Sequence, residues 1–179
     1  MEGVATLFEG DNAERVRALW RACETELGVR AAFPGAVPHL TYHLVERAYP
    51  HQAVVHRLRR LADAWRPFTV RTSGICVFTG PAPVITIAVV RDTRLSAWHE
   101  AVGQACSAAG AEAVAYYTPD RWMPHITVAQ QNIPAAALPE VLAWWASQDL
   151  AWELRVTNVA IAKATETSLD VLARIDLRG

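Results

Sequence analysis

The feature that most constrains this chain is a tetrapeptide that occurs twice, as Pro-His-Leu-Thr at positions 38–41 and as Pro-His-Ile-Thr at positions 124–127. In both copies a rigid proline leads into residues that alternate between polar and apolar, and alternation with a period of two is typical of a β-strand. Each copy therefore predicts the start of a strand. We expect Leu40 and Ile126 to turn toward a core.

The polar residues of the two copies share the opposite face of their strands. His39 lies beside Thr41 in the first copy, and His125 lies beside Thr127 in the second. Two imidazoles that face one substrate can move two protons, because one acts as a base while the other acts as an acid. Neighbouring hydroxyl groups can donate hydrogen bonds to oxygens that become charged in a transition state. These four residues are the candidate catalytic group.

The sequence around the two copies is also duplicated. The motif histidines are 86 positions apart, and the segment 68–80 resembles the segment 152–164 at nearly the same offset. We interpret this as two copies of a β-α-β-α-β unit, at about 1–90 and about 91–179, within a single bilobal domain of the α+β class. Two lobes with pseudo-twofold symmetry and antiparallel-rich sheets place both motif strands at one central cleft.

Hydrophobic periodicity and turn residues predict the elements of each unit. Two helices are predicted between an aspartate N-cap and a closing glycine, from Asp11 to Gly28 and from Asp92 to Gly110, and two more at 51–65 and around 138–145. Besides the second motif strand, the predicted strands are Val4–Glu9, Val37–Glu46, Phe68–Phe78, Val84–Val90, Ala151–Lys163 and Ser168–Leu177. An irregular segment, 116–123, leads to the second motif.

Composition limits the partners of this globular chain. The net charge is −1 at pH 7, which argues against a long polyanion but permits a small phosphate ligand or one RNA end. No apolar run approaches the roughly 20 residues that span a bilayer, and the amino terminus has no signal-peptide pattern. We therefore expect a cytosolic monomer with no membrane partner. The three cysteines, Cys23, Cys76 and Cys106, lack metal-type spacing and fit reduced, mostly buried thiols.

Paired His-x-Thr tripeptides at strand starts in a duplicated chain of this size resemble the 2H phosphoesterase superfamily, in particular its branch of 2′-5′ RNA ligases and RNA 2′,3′-cyclic phosphodiesterases. The resemblance covers nearly the whole chain. It implies no metal or other cofactor, cleavage of 2′,3′-cyclic or 2′-5′ phosphodiester bonds, and two histidines and two hydroxyls around one phosphate. Those roles carry over to His39, Thr41, His125 and Thr127.

The chain departs from the family pattern after the second motif, where the family often has a basic residue and this sequence has Val-Ala-Gln at 128–130. Arg121 and Lys163 are the candidates to compensate the phosphate charge, and Arg71 is a further candidate contact to phosphate or ribose. Aromatic residues in the irregular segment are candidates to stack on a nucleobase; they are Tyr116, Tyr117 and Trp122. The other six tryptophans are expected to pack in the core.

His43 has two interpretations. By strand alternation it shares the face of His39 and reaches the rim of the cleft, but we favour a structural hydrogen bond. The spacing of His39 and His43 also matches two zinc ligands on a helix. The proline at position 38 and the alternation that follows favour a strand instead, so we do not expect a metal site.

Three functions fit these observations. The first is a phosphodiesterase that hydrolyses RNA 2′,3′-cyclic phosphate ends or short 2′-5′-linked oligonucleotides, with ligation as its reverse reaction. The second is a related enzyme that acts on a small nucleotide derivative, such as a cyclic phosphate of ADP-ribose. The third is a module that binds phosphorylated ends without turnover. Two complete motifs favour an enzyme.

Overall fold

A computed structural model describes residues 1–29, 36–129, 133–165 and 168–179. The elements in chain order are β1 (Glu2–Leu7), α1 (Gly10–Leu27), β2 (His39–Val45), α2 (His51–Ala64), β3 (Phe68–Phe78), β4 (Val84–Val89), α3 (Thr93–Ser107), a 3-10 turn (Ala115–Tyr117), β5 (His125–Ala129), α4 (Leu138–Ala146), β6 (Glu153–Val156), β7 (Asn158–Ala164) and β8 (Leu169–Asp176). The fold is α+β, as the sequence predicts.

The strands form two sheets of four, in the orders β2-β1-β7-β8 and β5-β4-β3-β6. Every pairing is antiparallel. Each motif strand lies at one edge of its sheet, β2 in the first and β5 in the second. The two motif strands are in contact with each other, and the two sheets meet at these edges.

The two sheets do not coincide with the two halves of the sequence. The first sheet combines β1 and β2 with β7 and β8 from the end of the chain. The second combines β3 and β4 from the first half with β5 and β6 from the second half. The chain therefore exchanges strands between the sheets, so a lobe contains residues from both predicted repeat units.

The predicted strand Ala151–Lys163 is two strands in the structure, because the chain changes sheets at Thr157. β6 pairs with β3, whereas β7 pairs with β1 and β8. The fully buried Asn158 begins β7. Its side-chain oxygen accepts a bond from the Leu7 amide (3.0 Å), and its amide donates to the Leu7 carbonyl (2.8 Å). The buried, hydrogen-bonded Asn158 thus marks the point where the chain crosses from one sheet to the other. An apolar pattern alone does not show this point.

The helix ends agree with the sequence except at the start of α1 and at the end of α3, which stops at Ser107 with Ala108 as its C-cap rather than at the predicted Gly110. Asp92 caps α3, accepting a bond from the Leu95 amide at 2.8 Å. Gly28 ends α1 in the left-handed conformation, with a φ of 65° that glycine adopts without strain. The sequence predicts Asp11 as the N-cap of α1, but the helix begins at Gly10 after Glu9, so the Asp11 carboxylate lies in the first turn. There its charge still favours the positive end of the helix dipole.

The core behind the motif strands is aromatic. Trp98 on α3 is fully buried, with its ring 6.0 Å from Tyr42, 5.1 Å from Trp65 and 6.1 Å from Phe68. Helix α3 also packs on β2, and α2 packs on α3 and β8. Edge-to-face and tilted aromatic contacts add roughly 0.5 to 1.5 kcal/mol each beyond the area they bury. This cluster gives the first motif strand a rigid support.

The remaining predictions about burial are confirmed. Cys23 and Cys106 are buried and Cys76 is half-buried, and all three thiols are free. Leu40 and Ile126 are fully buried. Within the described parts of the chain, no helix has the length and apolarity needed to cross a membrane.

Candidate active site

The first motif lies at the start of β2 and ends at a β-bulge. Strand β2 pairs with β1 in the order Leu7–His39, Thr6–Leu40, Ala5–Thr41 and then Val4–His43. Tyr42 therefore has no partner in β1. A bulge of this kind bends the strand and re-aims the side chains that follow it.

The second motif has the same arrangement on β5. This strand pairs with β4 in the order Ala88–His125, Ile87–Ile126, Thr86–Thr127 and then Ile85–Ala129. Val128 takes the place that Tyr42 has in the first strand. The duplication seen in the sequence thus extends to the hydrogen-bond register, and both motifs sit in the last regular stretch before a bulge.

The bulge explains why His43 does not share the face of His39. Alternation predicts a common face, but the unpaired Tyr42 shifts the pattern by one residue, so that prediction is wrong. His43 is buried at 1% exposure, and its Nδ1 lies 2.8 Å from the Tyr49 hydroxyl. The structural role is therefore confirmed. Leu44 instead faces a cavity that it shares with His39 and Thr41.

The four motif residues line one cavity of about 860 Å³ between the two sheets. His39 and Thr41 enter it from β2, and His125 and Thr127 enter it from β5. All four are half-buried, so they are shielded from bulk water yet accessible to a ligand. The structure therefore brings together the complete group that the sequence nominates.

The two imidazoles are held in the same way. Nδ1 of His39 lies 2.8 Å from the Val37 carbonyl, and Nδ1 of His125 lies 2.7 Å from the Met123 carbonyl. Because a carbonyl only accepts hydrogen bonds, each Nδ1 carries a proton. Each neutral ring therefore has its lone pair on Nε2, which is the atom able to take up or release a proton.

Burial lowers the pKa of both His39 and His125 below the ordinary 6.5, although each carbonyl partner favours the protonated ring. A charge on His39 lowers the pKa of His125 further. The rings therefore resist carrying two positive charges at once. In the state in which only one of the two rings is charged, one imidazole is an acid and the other is a base.

Thr41 is held by two aromatic residues of the segment that precedes the second motif. The Trp122 indole N–H donates to the Thr41 carbonyl at 3.0 Å. The Tyr117 ring also lines the cavity; burial raises the pKa of its phenol, and the Thr41 hydroxyl beside it acts in the opposite direction. The first motif is thus supported by residues that belong to the second half of the chain.

The aromatic candidates of the irregular segment have different environments. Tyr116 is 71% exposed, and the Arg121 guanidinium lies 5.1 Å from its ring centre, which leaves one ring face available to a base. Trp122 is 2% exposed and stacks on His99 with ring centres 3.9 Å apart. Its ring cannot stack on a substrate, so the prediction for this residue is corrected: tertiary packing has taken the surface that a base requires.

Phe78 lines the cavity, although nothing in the sequence marks it as a site residue. Its ring contacts His125 edge-on, with ring centres 4.8 Å apart. It lies at the end of β3, opposite Val84 on β4, and β4 pairs with β5. Its position depends on the register of three strands, which the sequence does not specify. Its apolar edge shields the second imidazole from water.

The three basic candidates differ in whether they line the cavity. Arg121 lines the cavity and is the only lysine or arginine among the described lining residues. Arg71 pairs with Glu153 at the β3–β6 ladder, two strands away from β5. Lys163 is exposed on β7, where its backbone lies opposite Glu2 of β1 and Asp170 of β8 in the strand register. The structure therefore does not place Arg71 or Lys163 among the residues that line the cavity. Phe78 on β3 and Ala164 on β7 do line it, but Arg71 lies toward the opposite end of β3 from Phe78. Lys163 directly precedes Ala164 on β7, so its side chain points to the other face of the sheet.

The described residues contain no cluster of three or more histidine, cysteine, aspartate or glutamate side chains that could hold a metal. The alternative zinc pair of His39 and His43 is split by the bulge, since His39 lines the cavity while His43 is buried against Tyr49. The donor set of the cavity consists of two imidazoles and hydroxyls. These groups are suited to proton transfer and to hydrogen bonding with a phosphate.

Two His-x-Thr strands around one cavity in a duplicated α+β fold define a 2H phosphoesterase. A family model described as the 2′-5′ RNA ligase superfamily matches residues 8–167, and the chain belongs to this superfamily. Membership supports a phosphodiesterase. No curated protein sequence matches the chain.

Solved structures share the fold across almost the whole chain. TT0787 of Thermus thermophilus has a TM-score of 0.70 at 20% identity and covers 100% of this chain and 99% of its own. LigT of E. coli complexed with 3′-AMP has a TM-score of 0.69 at 16% identity and covers 99% and 98%. The MHV ns2 PDE domain has a TM-score of 0.55 at 12% identity and covers 96% and 98%.

Proposed function

We propose that this protein is a metal-independent phosphodiesterase that hydrolyses RNA 2′,3′-cyclic phosphate ends or short 2′-5′-linked oligonucleotides. The observation that carries the proposal is the pair of imidazoles in one cavity, each with Nδ1 fixed by a carbonyl and Nε2 free to exchange a proton. The proposal includes no cofactor, no membrane partner, and a monomer in the cytosol.

Ring opening of a cyclic phosphate needs two proton transfers. One imidazole takes a proton from water through Nε2 while the water oxygen bonds to phosphorus. The other imidazole, protonated at Nε2, gives its proton to the ribose oxygen as the P–O bond breaks. After the reaction the Nε2 proton has moved to the opposite ring of the pair. Each positioned acid or base contributes about 10² to 10⁴ in rate.

The hydroxyls of Thr41 and Thr127 stabilise the phosphate during this reaction. They enter the cavity from different strands, so each can donate to a different equatorial oxygen. Arg121 adds the positive charge that the residues after the second motif do not supply. In the reverse direction the same groups would join a 2′,3′-cyclic end to a 5′-hydroxyl, because acid and base exchange roles.

A small nucleotide derivative is the second candidate substrate. The observation that favours it is the charge of the cavity, where Arg121 is the single lysine or arginine among the described lining residues. One guanidinium matches one phosphate group rather than a long backbone. The solved LigT structure with 3′-AMP supports a mononucleotide-sized ligand in this fold.

The test is a metal-free assay with EDTA on a panel of substrates. The panel contains the 2′,3′-cyclic nucleotides of all four bases, a 2′-5′ dinucleotide, an oligoribonucleotide with a cyclic end, and ADP-ribose cyclic phosphate, and the position of the product phosphate is identified. Turnover that persists in EDTA supports the proposal. Activity that EDTA abolishes and zinc restores would contradict it, and binding of ends without turnover would assign a binding module instead.

A further inference from the structure

Trp122 joins the two motifs although it takes no part in proton transfer. Its ring is buried, and it precedes the second motif histidine by three residues. The indole N–H donates to the Thr41 carbonyl at 3.0 Å, in the first motif. A single side chain therefore connects the approach to β5 with the reacting end of β2.

The Trp122 ring is fixed by its neighbouring side chains, which include the Tyr42 ring at the bulge of β2 with ring centres 6.0 Å apart. His99 on α3 stacks on it at a ring-centre distance of 3.9 Å, with the two planes within 6° of parallel. The Arg91 guanidinium lies 5.7 Å from the ring centre and also donates to the Trp122 carbonyl at 3.1 Å. An indole held in this way presents its N–H in one direction.

The strand that receives this bond needs support at that point. Strand β2 is the edge of its sheet, so β1 pairs with one side of it only. The bulge at Tyr42 interrupts the pairing directly after Thr41. The pseudo-twofold symmetry does not repeat the contact, because the residue 86 positions before Trp122 is Ala36, whose side chain has no donor.

We propose that Trp122 is a positioning residue that sets the separation of His39 and His125 by holding Thr41 against the second motif. This rests on the proposed function, since the reaction needs both imidazoles at one phosphate. A displacement of about 1 Å in a reacting group can cost about 10²-fold in rate. The indole N–H therefore affects chemistry more than substrate binding.

The first test replaces the indole N–H while keeping an aromatic ring. Trp122→Phe should lower kcat about 10- to 100-fold and change KM less than about threefold, because positioning acts on the transition state. The matched control is Trp144→Phe, which removes an indole N–H that donates to Glu26 at 2.7 Å on α1. This control should leave kcat within about twofold of the wild type.

Double variants show whether Trp122 acts through the position of His39. Adding Trp122→Phe to His39→Ala should lower kcat much less than the product of the single effects, whereas adding it to Thr127→Val should give about the product. Equal additivity in both pairs would overturn the positioning role. If Trp122→Phe fails to fold, benzothienylalanine at position 122 keeps the bicyclic ring and replaces the N–H with sulfur.

An NMR titration of the histidine rings without substrate separates this proposal from the proposed function. Moving His39 away should raise the pKa of His125, because the charge of His39 is one cause that lowers it, and His39→Ala should raise it in the same way. An unchanged His125 pKa in the position-122 variant overturns the positioning role, whether or not any substrate turns over. A wild type that is inactive on the whole panel overturns the proposed function alone, and the titration then decides the role of Trp122.

Discussion

At the scale of single residues, the proposed mechanism makes the two motif histidines one unit, because it moves a single proton between them. His39→Ala and His125→Ala should each lower kcat by about 10² to 10⁴, and the double variant should lose far less than the product of both effects. Thr41→Val and Thr127→Val should each cost roughly 1.5 to 4 kcal/mol of transition-state stabilisation. Steady-state kinetics on a cyclic nucleotide measure all five variants.

The matched control for these variants is His56→Ala, because His56 is an exposed histidine on α2 outside the cavity. It should leave kcat unchanged. Near-normal kcat in either motif histidine variant would reject the shared-proton mechanism.

The pH dependence follows from the direction of the two pKa shifts. Burial lowers the pKa of His39 and of His125 below 6.5 in the free protein. Activity needs one neutral and one protonated ring, so kcat/KM should be bell-shaped and should fall as the pH rises above 6.5. A bound phosphate favours the protonated ring, so the optimum of kcat should lie at higher pH than that of kcat/KM.

Profiles of kcat and of kcat/KM between about pH 4.5 and 9 test whether the optimum of kcat lies at the higher pH. A kcat/KM optimum on the alkaline side of about pH 7 would contradict the shared site, because neither buried imidazole would then retain its proton as proposed.

The sequence was enough to predict that the two residues of each motif share a face, because that information is local. A proline followed by alternating residues is enough to place His39 and Thr41 on one face, and the duplication brings in the second pair. His43 was misplaced because a bulge depends on the partner strand. Trp122 was assigned to base stacking because nothing in the irregular segment shows that His99 from α3 covers its ring. Long-range contacts of this kind are not visible in a single sequence.

At the scale of elements, the crossing between the sheets depends on one buried amide. Asn158 bonds both backbone groups of Leu7, and Leu7 pairs with His39. Asn158→Ala leaves a buried N–H and a buried carbonyl without partners and should lower the free energy of unfolding by about 2 to 5 kcal/mol. Urea denaturation near neutral pH measures the loss.

The control for the crossing is Asn12→Ala on α1, which should change stability by less than about 0.5 kcal/mol. A loss below about 1 kcal/mol for Asn158→Ala would show that water replaces both bonds. The sequence predicted one long strand at 151–163 and not this crossing, because a run of apolar residues does not show which sheet each part of the run joins.

At the scale of the whole molecule, two buried histidines make stability depend on pH. Burial lowers the pKa of His43 and of His99 to about 4. Between about pH 6.5 and 4 the unfolded chain binds protons that the folded chain excludes, so stability falls as the pH falls. The expected loss is about 2 kcal/mol per histidine by about pH 5, from about 1.4 kcal/mol per pKa unit.

Urea midpoints measured from about pH 7.5 to 5 test this dependence. His43→Gln should flatten the curve, and the exposed His56→Gln should leave its slope unchanged. Parallel curves for the wild type and His43→Gln would mean that the buried ring is protonated in the folded protein.

The duplication predicted two similar motif environments but not how the chain connects them. Equal β-α-β-α-β units suggest one lobe per half, whereas each sheet takes two strands from each half. The order of strands within a sheet follows from tertiary packing, and the same sequence pattern is compatible with both connections.

The distribution of charge over the whole molecule leads to the last prediction, which concerns salt. The chain has a net charge of −1, and Arg121 is the one lysine or arginine among the described cavity residues. Each phosphate contact on a single strand contributes about −0.7 to the slope of log affinity against log salt concentration. The slope of log kcat/KM against log salt concentration should therefore be about −1 for an oligoribonucleotide with a cyclic end.

Arg121→Ala should make this slope less steep. Arg71→Ala is the matched control and should keep the wild-type slope, because its side chain lies two strands from the motif. A slope steeper than about −3, or an equal effect of the two variants, would indicate that an extended RNA backbone binds outside the cavity.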